Sequence, residues 1–166
     1  MTSLADQTVL VTGANRGMGR EYVAQLLGRG VTKVYAAARD PRTIDGADPR
    51  VVPLQLDVTD ATSVTGAAAV ASDVSVLINN AGIYRATSVL DPDTSNLREE
   101  LQTNLFGPLA MASTFAYRIA ERSGVIVNVA SASRGCRSGR ATGCQRRRCG
   151  APQTRCALNL VRGACR

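Results

Sequence analysis

Apolar residues along the first 130 positions alternate between two rhythms. TVLVT (8–12), VTKVYAAA (31–38), VVPLQL (51–56), VSVLI (74–78) and VIVNVA (125–130) are short, largely β-branched runs bounded by glycine, proline or polar residues. Runs of that length and composition fit strands buried on both faces. Between them, apolar residues recur at helical spacing. Arg20 to Leu27 sets Val23, Leu26 and Leu27 on one face, and Gly28-Arg29-Gly30 supplies a stop signal. Asp60 is placed to cap an alanine-rich helix reaching about Ala71. Residues 96–122 carry a long amphipathic pattern that Gly107-Pro108 should bend, because proline lacks an amide and clashes with the preceding turn. RDPRTIDGADPR (39–50) reads as a proline-containing loop. Strand–helix alternation with continuous apolar strands predicts an α/β domain built on a doubly wound parallel sheet.

The pattern stops near Ser133. Residues 134–166 are dominated by arginine, glycine and cysteine, with no acid and no aromatic. The chain, at 166 residues, suits one domain rather than two, so the expected organisation is a domain over 1–133 followed by a basic tail over 134–166. The split changes the meaning of the net charge of +7. Residues 1–133 carry 11 Lys or Arg and 13 Asp or Glu, whereas the tail carries nine arginines. The body is therefore mildly acidic, and a polyanion-binding character attaches to the tail alone. All five cysteines lie in the tail, which excludes a disulfide framework in the body and fits a reducing, cytoplasmic setting. Neither a signal peptide nor a stretch of 18 apolar residues is present, so no membrane association is expected.

Three readings of the tail stand side by side. Arg146-Arg147-Arg148 suggests phosphate binding, but aromatics for base stacking are missing, which weighs against nucleic acid. The cysteines are separated by seven, four, six and eight residues, without a histidine in the chain, so no metal site is expected. An aberrant or wrong-frame continuation of a GC-rich gene accounts best for the composition and for the missing binary pattern, with a disordered tail and a C-terminally truncated fold as the result.

Chemistry concentrates after the first strand. In TGANRGMG (12–19), Gly13 lets the chain turn, Gly17 lets backbone approach a pyrophosphate, and Gly19 lets the helix pack on the sheet. Amides at a helix N-terminus then face the phosphates. The spacing is G-x-x-x-G-x-G, one residue longer than the common dinucleotide fingerprint. This loop, Asn79-Asn80-Ala81-Gly82, TNLFGPL (103–109) and VNVAS (127–131), in that order, resemble the short-chain dehydrogenase/reductase family over about residues 7–133.

The resemblance implies a Rossmann fold with sheet order 3-2-1-4-5 and an oxidoreductase exchanging hydride between a nicotinamide cofactor and a carbonyl or secondary alcohol. It implies cofactor contacts at Gly13, Asn15, Arg16, Gly17, Met18 and Gly19, at Asp57 and Val58 around the adenine, and at Asn79, Ala81 and Gly82 along the ribose. Strand two ends in Arg39 with Asp40 one residue on, and Arg16 stands in the glycine loop. Two guanidiniums outweigh one displaced carboxylate at a 2′-phosphate, which favours NADP(H) over NAD(H).

By resemblance the substrate-binding serine is Ser131, with Ser133 as fallback, and the helix asparagine that anchors a proton-relay water is Asn104. The family's Tyr-x-x-x-Lys is absent: all four tyrosines precede Ser131 and the single lysine is Lys33. A remnant of that helix reads in APQTRCALNLV (151–161), where Ala151 would stand at the tyrosine position and Arg155 at the lysine position. Impaired turnover is expected, and strand five is expected to keep an exposed edge. The alternative is a non-catalytic NADP-binding or regulatory fragment with a nucleic-acid-binding tail. Homo-oligomerisation through the helix at 96–122 is a further expectation from the resemblance.

Overall fold

The computed structural model describes residues 4–85, 92–131 and 156–162, the last seven and Ser131 by their backbone alone. Ser133 and most of the basic tail lie outside the described residues. Strands β1 (Thr8–Thr12), β2 (Lys33–Ala38), β3 (Val51–Gln55), β4 (Val76–Asn79) and β5 (Val125–Ser131) pair in parallel in the order β3-β2-β1-β4-β5. Their register, Val11 opposite Ala36 and Ile78, aligns the carboxyl ends of the central strands. The strand order reverses between β1 and β4, where open α/β sheets bind ligands.

Helix α1 (Gly17–Gly28) lies on one face, and α2 (Ala61–Val70) and α4 (Gly107–Glu121) on the other. Alternate strand residues feed the two layers. Val9, Val11, Val34 and Ala36 meet Val23 and Leu26 of α1. Leu10, Tyr35, Leu54 and Leu77 meet Val64, Ala68, Met111, Phe115 and Ile119. Asp60 caps α2 by accepting from the Thr62 amide, as its position before an alanine-rich run suggests.

Three expectations are corrected. The helix expected over 96–122 is α3 (Ser95–Leu101), a π-helical segment (Gln102–Phe106) and α4. The loop at 39–50 contains a 3₁₀ turn, Pro41–Thr43. The edge of β5 is paired rather than open: β6 (Cys156–Arg162) runs antiparallel to it, Ser131 opposite Cys156 and Val125 opposite Arg162. ALNLV is therefore strand where the family resemblance would place helix.

Candidate functional site

The carboxyl ends of β1 to β4 open into one cleft of about 870 Å³. The glycine loop forms its floor. Gly13 and Gly17 hold φ of 65° and 52°, the left-handed region that side chains disfavour. A Cβ on Gly19 would sit on the Gly13 carbonyl oxygen and 2.7 Å from Asn80 Nδ2, so the helix start and the strand end can touch only through glycine. Helix α1 begins after an extended Arg16, with neither a capping side chain nor an acid in its first turn. Helix α2, in contrast, is capped by Asp60. A helix start with no acidic side chain in its first turn favours an anion in the cleft.

Thr12 stitches this loop to the segment after β4. Its buried hydroxyl accepts from the Asn80 and Ala81 amides, each at 2.9 Å, and donates to the Ile78 carbonyl at 3.4 Å. Asn80 Nδ2 donates back to the carbonyls of Thr12 and Gly13, at 3.0 and 3.3 Å. Sequence reasoning assigned neither Thr12 nor Asn80.

Gly13, Asn15, Arg16, Gly17, Met18, Gly19, Arg39, Asp57, Val58, Ala81 and Gly82 all line the cleft. Asn79 does not. It is buried, and its Nδ2 donates to Asn128 Oδ1 at 2.9 Å and to the Pro108 carbonyl at 3.4 Å, tying β4 to β5 and α4. Successive residues at a strand end face opposite ways, and the run Asn79-Asn80 alone does not show which one reaches the cleft.

Asn104 also stands beside the cleft rather than in its wall. Its Oδ1 accepts from the Ile83 amide at 2.9 Å and its Nδ2 donates to the Ile83 carbonyl at 2.7 Å, so the side-chain amide fastens the loop after β4 to the helix. Ser131 ends β5, next to Ala130 and opposite Cys156.

The charges divide along the cleft. Asp57 Oδ1 accepts from the Thr59 hydroxyl and amide, at 2.7 and 2.9 Å. The Thr59 hydroxyl chiefly holds the carboxyl below its ordinary range against burial, with Arg39 assisting, so Asp57 stays ionised. Asp40 is engaged by Arg42, whose Nε and Nη2 donate to its two oxygens at 2.9 and 3.0 Å. Arg16 and Arg39 are exposed, and neither forms an ion pair among the described residues. Glu99 also lines the cleft and pairs with Arg85, another lining residue, at 3.2 Å.

The family model described as short chain dehydrogenase matches residues 7–141. The chain belongs to the short-chain dehydrogenase family. Among solved structures, a short chain dehydrogenase from Burkholderia cenocepacia J2315 in complex with NADP is 38% identical with a TM-score of 0.73, over 76% of this chain and 54% of that one. An NADPH-bound carbonyl reductase from chicken fatty liver is 32% identical with a TM-score of 0.66, over 72% of this chain and 54% of that one. The NADP-dependent 3-hydroxy acid dehydrogenase of Schizosaccharomyces pombe is 30% identical over 145 residues, covering 79% of this chain and 56% of that protein. This short-chain dehydrogenase chain thus spans about half the length of these relatives. Among its described residues no helix is long and apolar enough to cross a membrane.

Proposed function

We propose that the chain binds NADP(H) and forms the cofactor half of an oxidoreductase acting on a small carbonyl or secondary alcohol. One observation carries the choice of nucleotide: at the end of β2 the acid is already paired with Arg42, while Arg39 and Arg16 line the same cleft and form no ion pair among the described residues. A 2′-phosphate needs cations, and a ribose 2′-hydroxyl needs a free carboxylate; this site offers the former. The names of the three relatives agree with that reading.

In this assignment the amides at the start of α1 take the pyrophosphate, Arg16 and Arg39 the 2′-phosphate, and Asp57 and Val58 the adenine. NADP(H), when bound, supplies or accepts a hydride. Ser131 would hydrogen-bond the substrate oxygen, and Asn104 holds the loop carrying Ile83 against the helix. Proton transfer is where this sequence departs from the family. Lys33 begins β2, at the amino end of the sheet, and its ammonium pairs with Asp73 at 2.7 Å. It cannot serve a tyrosine at the carboxyl ends, and no tyrosine follows Ser131. We read the chain as a nucleotide binder with impaired turnover. The stripe of half-exposed Leu97, Leu101, Leu105 and Leu109 supports association of two copies through this helix.

Titration with NADPH and NADH, followed by quenching of intrinsic fluorescence or by calorimetry, tests the cofactor. NADPH should bind at least about tenfold more tightly, the value of about one charge-assisted contact. Equal affinities, or a preference for NADH, would refute the assignment.

A further inference from the structure

We infer that Arg42 sets the preference for NADP(H) indirectly, by occupying both oxygens of the Asp40 carboxylate at the adenosine end of the cleft. This rests on the cofactor reading above and adds a residue to it. Asp40 lines the cleft beside Arg39; Arg42 is not part of the wall. The pairing is built into the backbone. Asp40 takes an extended conformation and caps the 3₁₀ turn Pro41–Thr43, accepting from the Arg42 amide at 3.1 Å. Its carbonyl accepts from the Thr43 amide and hydroxyl, at 3.2 and 2.6 Å. Pro41 fixes φ at the first position of the turn, which brings the Arg42 stem back over the carboxylate. The guanidinium then closes a two-point fork, Nε on Oδ1 and Nη2 on Oδ2. A planar fork matches a carboxylate in a way an ammonium cannot.

The consequence is electrostatic. An unpaired carboxylate at this place accepts hydrogen bonds from ribose hydroxyls and repels a 2′-phosphate, and so favours NAD(H). With the fork closed, Asp40 offers less of both effects, and the acid left beside Arg39 is Asp57, itself engaged by the Thr59 hydroxyl and amide. Arg42 is thus a positioning residue: it acts through Asp40.

The test is a double-mutant cycle on the full chain, reading the ratio of NADH to NADPH dissociation constants by titration. Arg42→Ala should lower the ratio by about two- to fivefold, the size of an exposed charge pair, with NADH binding unchanged or tighter. In an Asp40→Ala background the same substitution should leave the ratio unchanged. Arg42→Lys, which keeps the charge without the fork, should recover only part of the loss. An equal loss in the Asp40→Ala background would mean that Arg42 touches the phosphate itself and would overturn the inference, as would full recovery with lysine.

Asp40→Asn provides a second readout should Arg42→Ala unfold. Its ratio should stay within about twofold of wild type, because the charge it removes is already paired; a larger rise would show that the carboxylate is not silenced. A wild-type chain without NADPH preference refutes the cofactor reading and this inference together. A clear preference that Arg42→Ala does not move refutes the inference alone.

Discussion

Asp73 is the residue at which the body's charge most directly meets its core. Its Oδ2 accepts from Lys33 Nζ at 2.7 Å and its Oδ1 from the Tyr35 hydroxyl at 2.9 Å, while the Lys33 ammonium lies 5.3 Å from the Tyr35 ring. Burial pushes the Asp73 carboxyl up, but the Lys33 and Tyr35 hydrogen bonds outweigh it and hold it below the usual carboxylate range. Burial and Asp73 raise the Tyr35 phenol, and the hydrogen bond with Asp73 raises Lys33. A depressed folded carboxyl contributes stability that is present above its unfolded value, about 3.9, and is lost as pH falls further. Raised phenol and ammonium groups contribute stability present below about 10, which is lost as pH rises through their folded values. Asp48, held at about 2 by Arg50, adds to the acid limb. Denaturant midpoints should therefore fall below about pH 4 and above about pH 10. Asp73→Asn should flatten part of both limbs, and Tyr35→Phe should cost about 1 kcal/mol at neutral pH. Limbs as steep in Asp73→Asn as in wild type would show that this cluster does not link protonation to folding.

At the scale of elements, the joint between α3 and α4 decides how the helix meets the cleft. Pro108 has no amide for the carbonyl one turn back, and the ladder widens before it: the Gly107 amide reaches the Gln102 carbonyl, five residues away. The widened turn carries Asn104, fastened to Ile83. It ends on Gly107, where an added Cβ would come 2.8 Å from Val58 Cγ2. Val58 lines the cleft. Gly107→Ala should therefore cost about 1–3 kcal/mol of stability by overpacking and weaken NADPH binding through Val58. Wild-type melting and affinity in this variant would mean that the helix yields at no cost.

The joint also marks how far the sequence is legible. The five parallel strands, α1 with its glycine loop and the cap at Asp60 follow from local periodicity and turn chemistry. A bend at Gly107-Pro108 is legible too. Its resolution into a π segment over the preceding residues is not, because it depends on what the freed carbonyls and Asn104 find in space. The inward turn of Asn79 escapes for the same reason, since Asn128 and the Pro108 carbonyl are brought near only by tertiary structure. The Arg42 fork is local, but nothing in the run Asp40-Pro41-Arg42 says that the guanidinium folds back rather than outward. Strand β6 is the extreme case, since the short apolar run ALNLV fits either helix or strand until an edge is offered.

For the molecule as a whole, nucleotide binding and proton transfer come from different parts of the family's pattern, and the proposed function rests on the first. In the proposed assignment binding is local to β1–α1, the end of β2, the β3–α2 loop and the turn after β4, all of them built here around two well-packed layers. Proton transfer needs a tyrosine with a depressed pKa and a nearby cation, for which the resemblance offers only Ala151 and Arg155. A general acid contributes about 10²- to 10⁴-fold in rate. The full chain should thus bind NADPH with turnover of a simple ketone at least about 10²-fold below that of an intact relative. Stopped-flow absorbance at the nicotinamide band, under saturating NADPH, separates the two steps. Binding without hydride loss would fit the proposed division, in which the docked cofactor meets no tyrosine to protonate the developing alkoxide. Turnover within tenfold of an intact relative would mean that a group outside the family's pattern supplies the proton, and the impaired reading would fall while the cofactor reading stood.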